Sequence, residues 1–297
     1  MAGYAHPESL ATPQWLAEHL HDDNVRIVEV VWGDSPDFGQ PGYDQGHISG
    51  ALAWEFARDP QTPGPPGDVV DGEAMQELLS RSGVGPETIV VVYSGLGNLL
   101  ATFAFWLLKV YGHDNVRLLD GDKRKWLDEG RPTSTVAPAV APMPYPAPTP
   151  NWRLRARYDE VLASLGEANT LLVDTRSPEM FAGQDTAGAV HGGHIPGAVN
   201  LAAYREVQPD GSLGAWQVPT VNMDGTFKSH EELLALVREL GITPERDIIT
   251  YCVRGGLSTH AWFALTQLLG YPSVREYDRS WAEWGNRDDV PVESINA

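Results

Sequence analysis

The sequence predicts an α/β protein with two domains, each a mainly parallel sheet flanked by helices. The first observation is length, because 297 residues exceed a typical single domain and fit two domains of about 150 residues each. The second is the alternation of short β-branched runs with helical segments, which is typical of parallel sheets. The third is an internal repeat, in which the same order of features occurs once in each half.

Four short runs are apolar enough to be strands buried on both faces of a sheet. They lie at residues 26–31, 88–93, 170–174 and 247–251. A helix is predicted after Ser229, which is a suitable N-cap, and it should stop at Gly241. Ligands of such sheets bind where the C-terminal ends of strands meet the N-termini of helices.

The repeat is clearest when Tyr93 is set opposite Tyr251. The same offset aligns Gly97 with Gly255, Gly112 with Gly270, Asp120 with Asp278 and Trp126 with Trp284. Upstream, residues 46–51 match residues 193–198. His47 and His194 therefore occupy equivalent places in the two halves, which favours a scaffold role over a catalytic one.

A proline-rich stretch separates the halves, with six prolines from Pro138 to Pro150 among small residues. Such a stretch favours extended conformations and cannot continue a helix or a sheet. We therefore expect an N-terminal domain over residues 1–135, a linker over 136–150 and a C-terminal domain over 151–297.

Composition limits the partners of the protein. A net charge of -19 disfavours nucleic acid and anionic lipid, and a site for an anionic substrate would need basic groups of its own. No apolar run approaches the ~20 residues of a membrane helix, and the chain start lacks the features of a secretion signal, so we expect a cytoplasmic protein without membrane contact. The single cysteine excludes an intramolecular disulfide and a multi-cysteine zinc site.

That cysteine, Cys252, follows a predicted strand and starts a short loop before a helical pattern that begins near Ser258. Amides at such a junction stabilise a thiolate, so we expect the pKa of Cys252 to lie below the ~8.5 of an ordinary cysteine. Gly255 and Gly256 allow consecutive amides to converge on an anion, and Arg254 adds a fixed positive charge. This chemistry suits a cysteine that takes up either a sulfur atom or a phosphoryl group. A buried structural cysteine is the alternative.

Four motifs in this order resemble those of the tandem-domain rhodaneses, the thiosulfate and 3-mercaptopyruvate sulfurtransferases, and the actinobacterial type in particular. They are Leu-Val-Asp-Thr-Arg-Ser-Pro-Glu at 172–179, Gly-His-Ile-Pro-Gly-Ala-Val-Asn at 193–200, Cys-Val-Arg-Gly-Gly-Leu at 252–257 and Tyr-Asp-Arg-Ser-Trp-Ala-Glu-Trp-Gly at 277–285. The resemblance implies two tandem rhodanese-like domains, of which the C-terminal one is catalytic. It also implies transfer of the sulfane sulfur of thiosulfate to cyanide or another thiophilic acceptor, through a cysteine persulfide and without a cofactor.

The resemblance also implies roles for individual residues. Cys252 becomes the nucleophile, and the amides of Val253 through Leu257 stabilise its anion. Arg176 matches an arginine that helps to bind the anionic substrate, with an ion pair to a surface carboxylate as the alternative. Arg254 stands where thiosulfate-using members carry a basic residue and mercaptopyruvate-using members a small polar one, which favours thiosulfate. Leu257 departs from the family, because a hydroxyl residue is expected there, and its hydrogen bond is either lost or moves to Ser258.

The N-terminal copy has Ser94 at the cysteine position, and a serine without an adjacent base is a poor nucleophile, so we expect this copy to be silent. His191 and His194 lie in a glycine-rich loop without an obvious third ligand, so no metal site is expected.

Three alternative functions stay open: a 3-mercaptopyruvate sulfurtransferase, a non-catalytic sulfur-relay protein, and a cysteine phosphatase or arsenate reductase. The phosphatase would need a second arginine to clamp phosphate, and no arginine follows Arg254 before Arg275.

Overall fold

The structure, a computed structural model, describes residues 3–32, 42–56, 58–59, 68–208, 210 and 212–295. Each half of the chain folds around a mainly parallel sheet flanked by helices, which confirms the predicted fold class. The ends of the two predicted domains, residues 1–2 and 296–297, lie outside the described residues.

The first half contains a parallel sheet and a short antiparallel pair. Its strands are β1 (Leu10–Ala11), β2 (Val25–Val31), β3 (His47–Ile48), β4 (Ala51–Glu55), β5 (Ile89–Tyr93), β6 (Val116–Leu119) and β7 (Thr133–Ser134). Its helices are α1 (Pro13–Glu18), α2 (Gly72–Arg81), α3 (Ala101–Val110) and α4 (Asp122–Asp128). The parallel sheet has the strand order β1-β6-β5-β2-β4, and β3 pairs with β7 in the antiparallel sense.

The second half repeats this plan with a shorter sheet. Its strands are β8 (Thr170–Asp174), β9 (Val199–Asn200), β10 (Tyr204–Val207), β11 (Leu213–Gln217), β12 (Asp247–Tyr251) and β13 (Val274–Glu276). Its helices are α5 (Tyr158–Ala163), α6 (Pro178–Ala182), α7 (His230–Glu239), α8 (Ser258–Phe263) and α9 (Ser280–Trp284), and α8 continues into a π-helical turn, Ala264–Leu268. The parallel sheet has the order β13-β12-β8-β9, and β10 and β11 form an antiparallel hairpin.

The predicted boundaries of α7 are confirmed, and their causes are local. The Ser229 side chain accepts a hydrogen bond from the Glu232 amide, and the Glu232 carboxylate accepts one from the Ser229 amide, so the two residues form a capping box. Gly241 has a φ of +71°, a left-handed conformation that ends a helix at little cost for glycine.

Equivalent tyrosines show how closely the two halves correspond. The Tyr93 hydroxyl accepts a hydrogen bond from the Ile48 amide at 3.0 Å, and the Tyr251 hydroxyl accepts one from the Ile195 amide at 3.1 Å. Each tyrosine ends the strand that leads into the loop at Ser94 or Cys252. The position of that loop is therefore fixed in the same way in both halves.

The repeated histidines also have matching environments. The His47 ring stacks on Tyr43 and donates from Nδ1 to its carbonyl at 2.9 Å. The His194 ring stacks on Phe181 and donates from Nδ1 to its carbonyl at 2.8 Å. These contacts agree with the scaffold role that the repeat indicates.

The two halves share one hydrophobic core, in which α3 and α8 pack against each other. All residues of α3 except Lys109 are buried. Phe105 of α3 meets Phe263 of α8 edge to face, and the hydroxyls of Thr102 and Thr259 lie 3.2 Å apart. In the described part of the chain, no helix is both long enough and apolar enough to cross a membrane.

The predicted linker, residues 136–150, contains no helix or strand and lies against the first half. Tyr145 is buried, its carbonyl accepts a hydrogen bond from Gln76, and its hydroxyl lies 3.0 Å from Nδ1 of His113. Its exact limits as a domain boundary stay a prediction.

Candidate active site

Cys252 lies between the end of β12 and the start of α8, at the C-terminal edge of the second sheet. Its amide donates to Oγ of Ser280 at 3.0 Å, and its carbonyl accepts from the Trp281 amide at 3.1 Å. The residue is only 1% exposed. The backbone of the cysteine is therefore fixed by α9, and its sulfur lies inside the protein.

Two glycines let the first half pack directly against the cysteine loop. Gly255 has a φ of +83°, and a Cβ added there would lie 3.0 Å from the Phe103 ring and 3.1 Å from the Asp278 carbonyl oxygen. A Cβ on Gly256 would lie 3.1 Å from the Phe56 ring. Phe56 and Phe103 belong to the first half, so the N-terminal copy forms one wall of the loop.

The electrostatics of Cys252 differ from the prediction. Burial raises the pKa of its thiol, and the nearby negative charge of the Glu276 carboxylate raises this pKa further. Hydrogen bonds from the Ser258 hydroxyl and from the Ser258 and Arg254 amides lower the pKa, but they do not outweigh burial. The expected amide donors are thus present in part, while the predicted direction of the pKa shift is wrong because the sulfur is fully desolvated.

The hydroxyl near the sulfur comes from Ser258 and not from position 257. Ser258 is the first residue of α8 and is fully buried, and its Oγ lies 3.2 Å from the Gly255 carbonyl oxygen. Leu257 is partly exposed and precedes the helix. The Ser258 hydroxyl lowers the pKa of Cys252, which supports the second of the two outcomes that the sequence left open for this hydrogen bond, its move to Ser258.

The remaining loop residues lie nearer the surface. Arg254 is exposed, and Val253 is partly exposed, with its carbonyl bound to the Ala282 amide at 3.0 Å. A guanidinium group therefore lies on the solvent side of the loop, where it can attract an anion despite the acidic surface of the protein.

Arg176 lies entirely inside the second half. It forms an ion pair with Asp174, with Nη2 and Oδ2 2.6 Å apart, donates to the Gly193 carbonyl at 2.7 Å and stacks over the Trp281 ring. The structure thus shows an ion pair, which was the alternative predicted from the sequence. The carboxylate, however, is buried and does not lie on the surface. Its Nη1 atom, that of Arg176, is buried and has no hydrogen-bond partner among the described residues, so the ion pair leaves one donor of the guanidinium unused. The predicted contact with an anionic substrate stays a prediction.

Sequence reasoning missed Glu276, which is fully buried beside the cysteine loop. Its carboxyl group is hydrogen-bonded to the hydroxyls of Thr250 and Ser258. The repeat offers a signal for it, because the offset that aligns the two cysteine-loop positions sets Leu118 opposite Glu276. An acidic residue that replaces a core leucine indicates a local requirement for polarity.

Asp68 of the first half joins the two halves beside this site. Its carboxylate accepts hydrogen bonds from Arg155 at 2.7 Å and from Arg279 at 2.5 Å. Arg155 also donates to the Asp278 carboxylate at 2.6 Å. The Asp278 backbone packs against Gly255, so this network helps to hold the cysteine loop in place.

The equivalent loop of the first half is occupied by its own side chains. The Ser94 amide donates to Oδ1 of Asn98 at 2.8 Å, and the Gly97 amide donates to Oδ2 of Asp122 at 2.8 Å. Asp122 occupies the position of Ser280, and both residues have a positive φ. Because the Asp122 carboxylate already accepts the hydrogen bond of a loop amide, the arrangement supports the expectation that this copy is silent.

The two histidines of the glycine-rich loop have separate partners. Nε2 of His191 lies 3.3 Å from an Asp288 carboxylate oxygen, whereas His194 stacks on Phe181. Within the described residue ranges, no group of three His, Cys, Asp or Glu side chains is placed to hold a metal ion.

Comparisons with known proteins agree with this architecture. A model of the rhodanese-like domain matches residues 12–129 and 157–287. The sulfur carrier protein TtuD of Thermus thermophilus is 41% identical over 300 residues, which cover 98% of each protein. The thiosulfate sulfurtransferase of Corynebacterium glutamicum is 37% identical and covers 98% of this chain and 92% of the relative.

A solved structure extends the comparison to the fold. The crystal structure of YnjE superimposes with a TM-score of 0.85 at 24% identity, covering 99% of this chain and 70% of that one. Taken with the relatives, the double domain match supports a sulfurtransferase activity. The chain belongs to the family of rhodanese-like proteins, with one such domain in each half.

Proposed function

We propose that the protein is a thiosulfate sulfurtransferase that carries the transferred sulfur on Cys252 as a persulfide. The observation that carries the proposal is the placement of the single cysteine at the loop between β12 and α8, where the amides of Arg254 and Ser258 and one hydroxyl face its sulfur. The name of the Corynebacterium glutamicum relative supports thiosulfate as the donor.

The reaction has two steps. The Cys252 sulfur attacks the outer sulfur of thiosulfate, a new S–S bond forms, and sulfite leaves with the electron pair of the broken S–S bond. Cyanide or another thiophilic acceptor then bonds to the outer sulfur of the persulfide. The persulfide S–S bond breaks, and its electron pair returns to the Cys252 sulfur. The loop amides stabilise the anionic cysteine in both steps, and the exposed Arg254 guanidinium attracts the anionic donor.

The test is thiocyanate formation from thiosulfate and cyanide. We expect Cys252→Ser to abolish turnover, because a serine hydroxyl without an adjacent base is a poor nucleophile. The matched control is Ser94→Cys in the Cys252→Ser background, which puts a cysteine at the equivalent position of the first half and should not restore turnover.

Mass spectrometry of the intact protein tests the intermediate. Incubation with thiosulfate should add one sulfur atom to the wild type, and cyanide or a reductant should remove it. Turnover by Cys252→Ser, or turnover by a wild type that never gains this mass, would contradict the persulfide route.

The name of the Thermus thermophilus relative favours a second candidate, a sulfur carrier that delivers the persulfide to a partner. Loading with thiosulfate without turnover to thiocyanate would favour this candidate. A phosphatase is less suited to the site, because the next arginine after Arg254 is Arg275, which forms an ion pair with Glu160 at 2.9 Å.

A further inference from the structure

The buried carboxyl group of Glu276 lies where a charge is costly to bury. Glu276 ends β13, and its backbone pairs with that of Thr250 on β12. The hydroxyls of Thr250 and Ser258 are hydrogen-bonded to its two carboxyl oxygens, and in the described part of the chain no basic side chain forms an ion pair with it. Burying a carboxylate costs a large amount of free energy unless it is paired with an opposite charge and hydrogen-bonded.

The silent half shows that the fold does not need this polar group. The offset between the halves sets Val92 opposite Thr250 and Leu118 opposite Glu276, and the structure pairs Val92 with Leu118 as it pairs Thr250 with Glu276. Leu100 occupies the place of Ser258. All three aliphatic residues are buried. The polar trio occurs only in the half that carries the cysteine, so its role concerns the cysteine.

Ser258 connects the carboxyl group to the sulfur. A serine hydroxyl has one proton to donate, and here it can be directed to the Cys252 sulfur, the Gly255 carbonyl or the Glu276 carboxyl group. An ionised carboxylate is the strongest of these acceptors and draws the proton to itself. A neutral Glu276 instead donates its own proton to the serine oxygen, which leaves the serine proton for the sulfur.

The site disfavours two negative charges. Burial raises the pKa of Glu276 well above its usual value, and the Asp278 carboxylate adds to this shift. Burial raises the pKa of Cys252, and the Glu276 carboxylate adds to that shift. Among the described residues, the charges near the pair include the Asp278–Arg155 ion pair, the Asp174–Arg176 ion pair and the exposed Arg254. Two buried anions this close to each other disfavour simultaneous ionisation.

We propose that Cys252 and Glu276 share one proton through the Ser258 hydroxyl, with the proton on sulfur when the cysteine is empty and on Glu276 when the cysteine carries sulfur. The loaded state rests on the proposed function. On loading, the S–H proton passes to the serine oxygen and the serine proton passes to the Glu276 carboxylate. At the same time the cysteine sulfur bonds to the outer sulfur of thiosulfate, and sulfite leaves with the electron pair. Sulfur loading then exchanges no proton with the solvent, and release of the sulfur returns the proton to the cysteine. In this proposal Ser258 donates to the reacting sulfur, whereas Glu276 acts through Ser258 as a positioning residue.

The pH dependence of iodoacetamide alkylation tests the sharing in the empty site. The chain has one cysteine, so incorporation reports on Cys252 alone. Glu276→Gln removes the neighbouring charge and should move the alkylation midpoint down by about one pH unit, with about tenfold faster reaction below the midpoint. Ser258→Ala removes the hydroxyl donor and should move the midpoint up.

Opposite shifts in two adjacent variants distinguish proton sharing from simple loosening of the fold, which would expose the sulfur in both. The matched control is Glu29→Gln, which neutralises a buried carboxyl group in the silent half, where Glu29 is bound to Tyr93 and Lys123. It should leave the midpoint of Cys252 unchanged. An unchanged or raised midpoint in Glu276→Gln would overturn the proposal.

Infrared difference spectroscopy tests the loaded state in the unmodified protein. Loading with thiosulfate should produce the carbonyl band of a protonated carboxylic acid, and unloading with cyanide should remove it. The band should be missing from the difference spectrum of Glu276→Gln. A protein that gains the mass of one sulfur atom without this band would disprove the sharing. A protein that does not load would contradict the proposed function, and the alkylation experiment would still decide the sharing in the empty site.

Discussion

At the scale of single residues, the cysteine site balances opposing influences on one sulfur atom. Burial and the Glu276 carboxylate raise the pKa of Cys252, while the hydroxyl of Ser258 and two amides lower it. The cysteine is therefore not a permanently ionised nucleophile. In the proposed reaction, its reactivity depends on the protonation of the groups around it.

Arg254 provides a prediction about donor choice. Arg254→Ser should lower kcat/KM for thiosulfate by about tenfold, because a charge-assisted contact with the doubly charged donor is lost. The loss for 3-mercaptopyruvate should be smaller, since this donor carries one charge. Steady-state kinetics with both donors measure the difference, and Arg153→Ser, an exposed arginine of the same half, is the control. Equal losses on both donors would contradict a role of Arg254 in choosing between them.

Only those site residues that lie close together in the sequence could be predicted from it. Cys252, Arg254 and the loop glycines are such residues, and the structure places them in one loop. Glu276 looks like an ordinary charged residue beside Arg275, because its burial depends on pairing with β12 and not on neighbouring residues. The raised pKa of the cysteine was missed for the same reason, since desolvation is a property of the assembled fold.

At the scale of elements, the cysteine loop is shaped by what packs on it. Gly255 combines a left-handed backbone with close contacts to Phe103 and Asp278. Gly197 has a similar φ of +78°, but a Cβ added there would meet no heavy atom within 4 Å. Alanine substitutions at Gly197 and Gly255 therefore differ in crowding but share the left-handed backbone, so they separate the two contributions to the free energy of unfolding.

Gly255→Ala should destabilise the protein more than Gly197→Ala does. Strain alone predicts a loss of about 1 kcal/mol for Gly197→Ala, while crowding adds about 1–3 kcal/mol for Gly255→Ala. The Gly255 variant should also lose sulfur-transfer activity, because the loop amides move away from the sulfur. Urea unfolding gives the free energies, and equal losses in the two variants would argue against the packing role of the loop.

Elements with strong local signals were predictable, and those without them were not. The boundaries of α7 follow from Ser229 and Gly241, which act on their own neighbours. The π-helical turn after α8 and the hairpin of β10 and β11 were not predicted. The turn depends on how the end of the helix packs in the shared core, which the local sequence does not specify.

At the scale of the whole molecule, the first half supports the half that carries Cys252. Both contribute to one hydrophobic core, and Asp68 bridges to two arginines across the boundary. His260 of α8 makes a further connection, because its Nε2 lies 2.9 Å from the Gly97 carbonyl oxygen in the equivalent loop of the first half.

Because His260 is buried between the two halves, we expect acid to destabilise the packing between them. Burial lowers the pKa of His260 from 6.5 to about 4, so the folded protein keeps the ring neutral where the unfolded chain binds a proton. Stability should fall as the pH drops from 6.5 towards 4, by up to about 3 kcal/mol from this group. Urea unfolding of the wild type and of His260→Gln at pH 7 and pH 5 isolates the contribution. The variant should lose less stability on acidification, and an equal loss in both proteins would assign the effect to other groups.

The Asp122 carboxylate in the equivalent loop of the first half has a consequence for how the two copies respond to salts. It is tethered to the chain that it binds, so its effective concentration at the Gly97 amide stays high whatever ions are dissolved around it. If the second loop binds the anionic donor as proposed, small anions should compete with the donor there but should not bind at the Gly97 amide. Duplication has produced one loop that carries the cysteine and one loop whose amide is bound to a carboxylate of the chain itself.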